Sequence, residues 1–185
     1  MISFYLSIIE TEEAKDKVVF IYERFYSFMC YTAGEVLNHN KYDVEDAVHN
    51  AMLKIIENID FIDTTNISKV KNLCGIIAKN KAKDHCKLKV NQTVELDGSS
   101  VSESNSVPSP DEIVIGETTA ALILEAIRDL DDTYRDVCLL RFVHEYKIRE
   151  IASLLDLPEG TVSIRLSRAK AILKESLRKE NLYVR

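Results

Sequence analysis

The stretch REIASLLDLPEGTVSIRLSRAKAILKE, Arg149 to Glu175, restricts the possible folds more than any other part of the chain. Apolar residues keep a helical spacing up to Leu155, stop for Asp156-Leu157-Pro158-Glu159-Gly160, and then resume. In the first segment Ile148, Ile151, Ala152 and Leu155 share a face, with small Ala152 where a crossing helix must approach closely. Asp156 is expected in a left-handed turn conformation, which Asp tolerates better than most non-Gly residues. Pro158 suits the first position of a new helix. Val162, Leu166, Ala169 and Leu173 then fall at i, i+4, i+7 and i+11 and form one buried face. Arg165 and Arg168 flank that face on one side, Lys170 and Lys174 on the other, and Ser163, Ile164 and Ser167 look outward. This is the pattern of a helix-turn-helix, whose second helix can enter a major groove with Arg ready for guanine or phosphate. A bend alone would not need four basic residues around a Ser/Ile surface.

The net charge of −6 argues at first against nucleic acid, but its distribution does not. Residues 1–65 carry a net −7, residues 66–90 a net +6, residues 91–140 a net −9 and residues 141–185 a net +4. Two basic islands thus lie in an acidic chain, the asymmetry expected of a protein that meets nucleic acid locally. No apolar run approaches the ~20 residues of a membrane span. The N-terminal MISFYLSIIETEEAKDK has no basic leader and turns acidic at once, so no secretory signal is expected. Cys30, Cys74, Cys86 and Cys138 are scattered without a CxxC, which fits reduced thiols and a cytoplasmic location.

Residues 91–112, NQTVELDGSSVSESNSVPSPDE, lack an apolar period and contain Pro108 and Pro110, so they read as a linker. It separates an N-terminal part, 1–90, from a C-terminal part, 113–185. Helical spacing appears on both sides, no strand alternation persists, and an all-α fold of two small domains is expected. Val44, Val48, Met52, Ile55 and Ile59 form a core stripe, and Asp46, His49, Asn50, Leu53 and Glu57 lie on the opposite face. A leucine among polar groups there is either a docking surface or a single exposed leucine. A second helix is expected from Lys69 to Lys89, with Val70, Leu73, Cys74 and Ile77 inward. Asn80, Lys83, Asp84 and Lys87 share one strip of it, which could track a phosphate backbone. Leu122, Ile123, Ala126, Ile127 and Leu130 mark a further helix. Asp131, Asp132 and Thr133 then offer an N-cap for a helix through Val137, Leu140 and Arg141.

LDDTYRDVCLLRFVHEYKIREIASLLDLPEGTVSIRLSRAKAILKE resembles region 4 of bacterial sigma factors of the extracytoplasmic-function (ECF) group. DVEDAVHNAMLKIIENI resembles region 2.2 of that family, and LCGIIAKNKAKDHCKLK its regions 2.3 and 2.4, with Ala78, Asn80 and Asp84 at the family spacing. The resemblance spans nearly the whole chain, in order. It implies a non-catalytic subunit that binds core RNA polymerase and directs it to promoter DNA. Region 2 would dock on the β′ clamp coiled coil and open the −10 element. Region 4 would read the −35 element and touch the β flap. Asp46, His49, Asn50 and Leu53 would then lie on the docking helix, and Asn80, Lys83 and Lys87 on the −10 helix. Phe61 to Asn66 would form the loop that captures a flipped base. Thr161, Ser163, Ile164, Arg165, Ser167, Arg168 and Lys170 would face the −35 element. An anti-sigma factor is a candidate partner, and no cofactor or metal is implied.

Several residues depart from the family pattern. Leu73 stands where tryptophan is usual, His49 where glutamine is usual, and Asn50 where an acid is usual. Asp156 replaces a glycine, Leu157 a capping serine, and Ile164 a serine on the outward face. Another class of function, a stand-alone helix-turn-helix regulator of duplex DNA, would call for a ligand or receiver domain ahead of the linker; the basic KNKAKDHCKLK helix argues against one. For an enzyme, His85-Cys86 and the Asp43/Glu45/Asp46 cluster are the candidates, and neither has zinc-ligand spacing or a paired-carboxylate context. A purely helical interaction protein would not need both basic islands.

Overall fold

The computed structural model describes residues 2–93 and 118–179. They fold into eight α-helices with no strand among them. The chain divides into two compact units, Met1–Asp111 and Glu112–Arg185.

Unit 1 comprises α1 (Ile2–Ser7), α2 (Glu12–Val36), α3 (Lys41–Glu57) and α4 (Ile67–Thr93), with a 3-10 turn at Ile59–Phe61. Three of the helices start on side-chain caps, which satisfy N–H groups that a helix end leaves open. Thr11 accepts from the Ala14 N–H, Asn40 from the Asp43 N–H, and Asn66 from the Lys69 N–H at 3.0 Å. The core lies where α2, α3 and α4 meet. Val18, Ile21 and Met29 of α2, Val48, Met52 and Ile55 of α3, and Val70, Leu73, Cys74 and Ile77 of α4 are all buried. Each large aliphatic side chain so buried contributes roughly 1.5–3 kcal/mol. Gly75 permits close packing of α2 on α4, because a Cβ there would stand 3.2 Å from the Phe28 ring. Helix α4 runs past the expected end at Lys89, so the first three residues read as linker are helical. The remaining linker residues described by the sequence reading, 94–112, lie outside the described residues.

Unit 2 comprises α5 (Thr118–Arg128), α6 (Asp132–Cys138), a π turn (Leu139–Val143), α7 (Ile148–Leu155) and α8 (Glu159–Lys179). Asp131 caps α6 by accepting from the Thr133 N–H at 2.9 Å. The single helix expected through Arg141 instead widens into the π turn, where the His144 N–H reaches back to the Leu139 carbonyl. That wider turn leaves Phe142 exposed while Leu140 stays buried. Ile127, Leu130, Val137, Leu140, Ile151 and Leu154 close the core over Val162, Leu166 and Ala169. Ile123, one of the apolar residues that mark α5, is exposed, and the buried edge of α5 runs through Ile127.

Candidate nucleic-acid interface

Helices α7 and α8 form the expected helix-turn-helix. Asp156 ends α7 at φ 52°, ψ 44°, in the left-handed region. The Leu157 N–H bonds back to the Ala152 carbonyl at 3.0 Å, a Schellman-type ending. Helix α8 opens one residue later than expected, at Glu159. The carbonyl of Pro158 accepts from the N–H groups of Thr161 and Val162, so the backbone begins the helix where the chain offers no capping serine. At the other end of the motif, the Glu150 carboxylate accepts from the Lys147 N–H at 2.8 Å and fixes the start of α7. Val162, Leu166, Ala169 and Leu173 are buried, as their spacing requires. Ser163, Ile164, Ser167, Arg168 and Lys170 are exposed, and Thr161 and Arg165 are half-buried at the edge of the same face. Ile164 is 55% exposed, too open for a core role.

Beside this face lies a cleft of about 280 Å³ lined by Arg141, Ile148, Ser163, Leu166, Ser167 and Lys170. Two cations and two hydroxyls there could receive one anionic group such as a phosphate oxygen. Arg141 was not singled out from the sequence as a contact residue, since its spacing fits the helix before the turn. Its guanidinium donates to the Tyr146 carbonyl at 2.9 Å, which holds the side chain across the π turn. The Lys170 ammonium lies 5.8 Å from the centre of the Phe142 ring. In the same unit, burial pushes the Cys138 thiol up to about 11, so it is no nucleophile at neutral pH.

In unit 1, Asn80, Lys83 and Asp84 are half-buried along α4, and Lys87 is exposed. Asn80 donates to the Ile76 carbonyl at 2.9 Å, and Lys87 pairs with Asp84 at 3.3 Å. Asn66 is exposed and caps α4, so its side-chain oxygen already has a structural task. Half-buried Phe61 lines an open basin of about 350 Å³ with Asp60, Ile62, Asp63, Thr64 and Thr65. Glu13 and Lys17 of α2 complete that basin, and no local motif in the sequence pointed to them. Hydrogen bonds from the Thr65 backbone and hydroxyl hold the Asp63 carboxyl below its usual range.

The outward face of α3 is more occupied than its sequence implies. Asp46 and Asn50 are exposed, but Leu53 is half-buried. His49 is half-buried too, and its Nδ1 lies 2.9 Å from the Tyr5 hydroxyl of α1. Asp46 is 3.2 Å from Nδ1 of His85, whose Nε2 is 3.1 Å from Asp43. The Lys89 ammonium contacts both Asp43 oxygens at 2.6 Å. Its hydrogen bond, with that of His85, holds the Asp43 carboxyl below its usual range. Of the residues weighed as an enzyme site, His85, Asp43 and Asp46 thus join with Lys89 in a polar cluster that ties the start of α3 to the C-terminal half of α4. Among the described residues no His/Cys/Asp/Glu group is arranged to hold a metal ion.

A family model for sigma-70 region 4 matches residues 120–173, the segment from α5 through most of α8. Among curated proteins, the ECF RNA polymerase sigma factor SigW of Bacillus subtilis (strain 168) is 27% identical over 174 residues. That match covers 90% of each chain, so it extends across both units. The chain is thus similar to an ECF sigma factor over most of its length, and to sigma-70 region 4 in its second unit. A solved structure of the sigma factor RpoE in complex with the anti-sigma factor NepR, from Bartonella quintana, is also matched. The TM-score is 0.42 and the identity 18%, over 91% of this chain and 98% of that one.

The chain absorbs its departures from the ECF sigma-factor pattern in physical ways. Leu73 fills its core position and is 1% exposed, so the usual tryptophan is replaced by a smaller buried side chain. Asp156 takes the left-handed conformation that glycine takes most easily. Ile164 puts an apolar group on the outward face of α8 where a hydroxyl is usual. No helix among the described residues is long and apolar enough to cross a membrane.

Proposed function

We propose that this chain is an ECF sigma factor, a non-catalytic subunit that binds core RNA polymerase in the cytoplasm and directs it to promoter DNA. Residues 1–90 act as region 2, residues 113–185 as region 4, and 91–112 as the connection. The observation that carries this reading is the outward face of α8. Its Ser163, Ile164, Ser167, Arg168 and Lys170 are exposed behind a buried stripe, in a chain with a second basic helix in its other unit. On this reading α8 reads the −35 element, and Asn80, Lys83 and Lys87 of α4 face the −10 element. The loop from Phe61 to Asn66 receives an unstacked base. Asp46, His49, Asn50 and Leu53 of α3 belong to the surface that meets the β′ clamp coiled coil, and unit 2 meets the β flap.

Transcription by the reconstituted holoenzyme from a library of randomised −35 elements tests the reading. Arg165→Ala or Arg168→Ala is expected to relax choice at one guanine, since a bidentate contact discriminates by about 1–3 kcal/mol. Ile164→Ser is expected to relax choice at a neighbouring thymine, whose methyl group the isoleucine can cover. A uniform loss across the library would assign these side chains to phosphate positioning instead. Failure of the parent chain to co-elute with core polymerase, combined with tight unaided binding to duplex DNA, would favour a stand-alone regulator.

A further inference from the structure

We propose that the Tyr5 hydroxyl selects the tautomer of His49, so that α3 presents a fixed Nε2–H donor to an oxygen acceptor on the polymerase. The proposal rests on the reading of α3 as the docking helix. Tyr5 is completely buried, and its hydroxyl lies 2.9 Å from His49 Nδ1. The two rings stack with centres 5.6 Å apart and planes 28° apart, and Phe4 flanks the imidazole at 5.8 Å. Neither side chain makes another hydrogen bond among the described residues. A phenol has one proton to donate, and a neutral imidazole has one donor and one acceptor nitrogen. If Nδ1 carried the proton, it would donate to the Tyr5 oxygen and leave the buried phenol proton without an acceptor, which is costly. If Nδ1 is bare, the Tyr5 proton fills the bond and the ring proton sits on Nε2. Burial pushes the Tyr5 phenol up to about 12, so its proton is present across the physiological range. His49 is half-buried and Asn50 beside it is exposed, so on the docking reading the imidazole lies at the edge of the surface that the partner would meet. Tyr5 is thus a positioning residue that acts through His49.

Two measurements on the full-length chain test this. The first is long-range 15N–1H correlation of the histidine rings at alkaline pH, where imidazole is neutral, with His49→Gln identifying the signal. The Nε2–H form is expected in the parent and a mixture of tautomers in Tyr5→Phe. An Nδ1–H form in the parent would overturn the proposal, whatever the polymerase does. The second is the affinity of labelled chain for core RNA polymerase. Tyr5→Phe is expected to weaken it about fivefold, the worth of one ordinary hydrogen bond. In the His49→Gln background, where an amide donates without a tautomer choice, the same change is expected to have no effect. Equal losses in both backgrounds would show that Tyr5 only supports the fold. Absence of parent binding would instead refute the docking role of α3, while the tautomer measurement would still judge the hydrogen bond.

Discussion

Asp156 carries the sharpest backbone demand in the helix-turn-helix. Its left-handed conformation costs an ordinary L-residue roughly 1–2 kcal/mol, and a β-branched side chain meets the full penalty. Asp156→Val is therefore expected to destabilise unit 2 by about 1–2 kcal/mol. Asp156→Gly should stay within about 1 kcal/mol of the parent, because relief of strain is offset by the greater freedom of glycine when unfolded. Urea titration followed at amide signals of α7 and α8 distinguishes the two. This position was legible in the sequence, since the break in apolar period fixed where a turn must occur. The partners of His49 and His85 were not legible. Tyr5 lies 44 residues from His49, and Asp43 lies 42 from His85. Such pairs depend on how separate helices cross, which a period along one helix does not encode.

At the scale of the element, the buried stripes of α3, α4 and α8 followed from spacing alone, because one face of each helix meets a core. The π turn at Leu139–Val143 did not. Leu139, Leu140 and Phe142 fit an α-helical pattern well enough to hide one extra residue in the turn. A π turn of this kind is a local widening that a chain can lose without rotating what precedes and follows it. Deleting Phe142 is thus expected to leave unit 2 with a cooperative unfolding transition, at a lower midpoint because Lys170 loses the ring beside it. Deleting Ser153 from α7 should abolish the transition. It would turn Leu154 and Leu155 by about 100° relative to Ile151 and Ala152 and bring them out of the core. Calorimetry on the two deletion variants compares them directly.

For the whole molecule, charge decides how the chain behaves away from its partners. It is anionic overall, and its net positive charge is confined to two stretches. A gel-shift at moderate salt is expected to show the free chain on duplex promoter DNA only in the non-specific range, about 10⁻⁴ to 10⁻⁶ M. Selective binding should appear with core polymerase present, and nanomolar selectivity without it would contradict the proposed function. The all-α class was legible from periodicity, whereas the basins beside Phe61 and Arg141 were not, because each gathers side chains from elements apart in sequence. The division into two compact units has a further consequence on the proposed reading. Two weak contacts joined by one covalent chain bind as a pair, and the second contact forms at an effective concentration set by the tether. Promoter choice then acquires a third variable besides the two base sequences. The separation between them acts as an avidity filter, and sites with good elements at the wrong spacing lose the gain that joining the units provides.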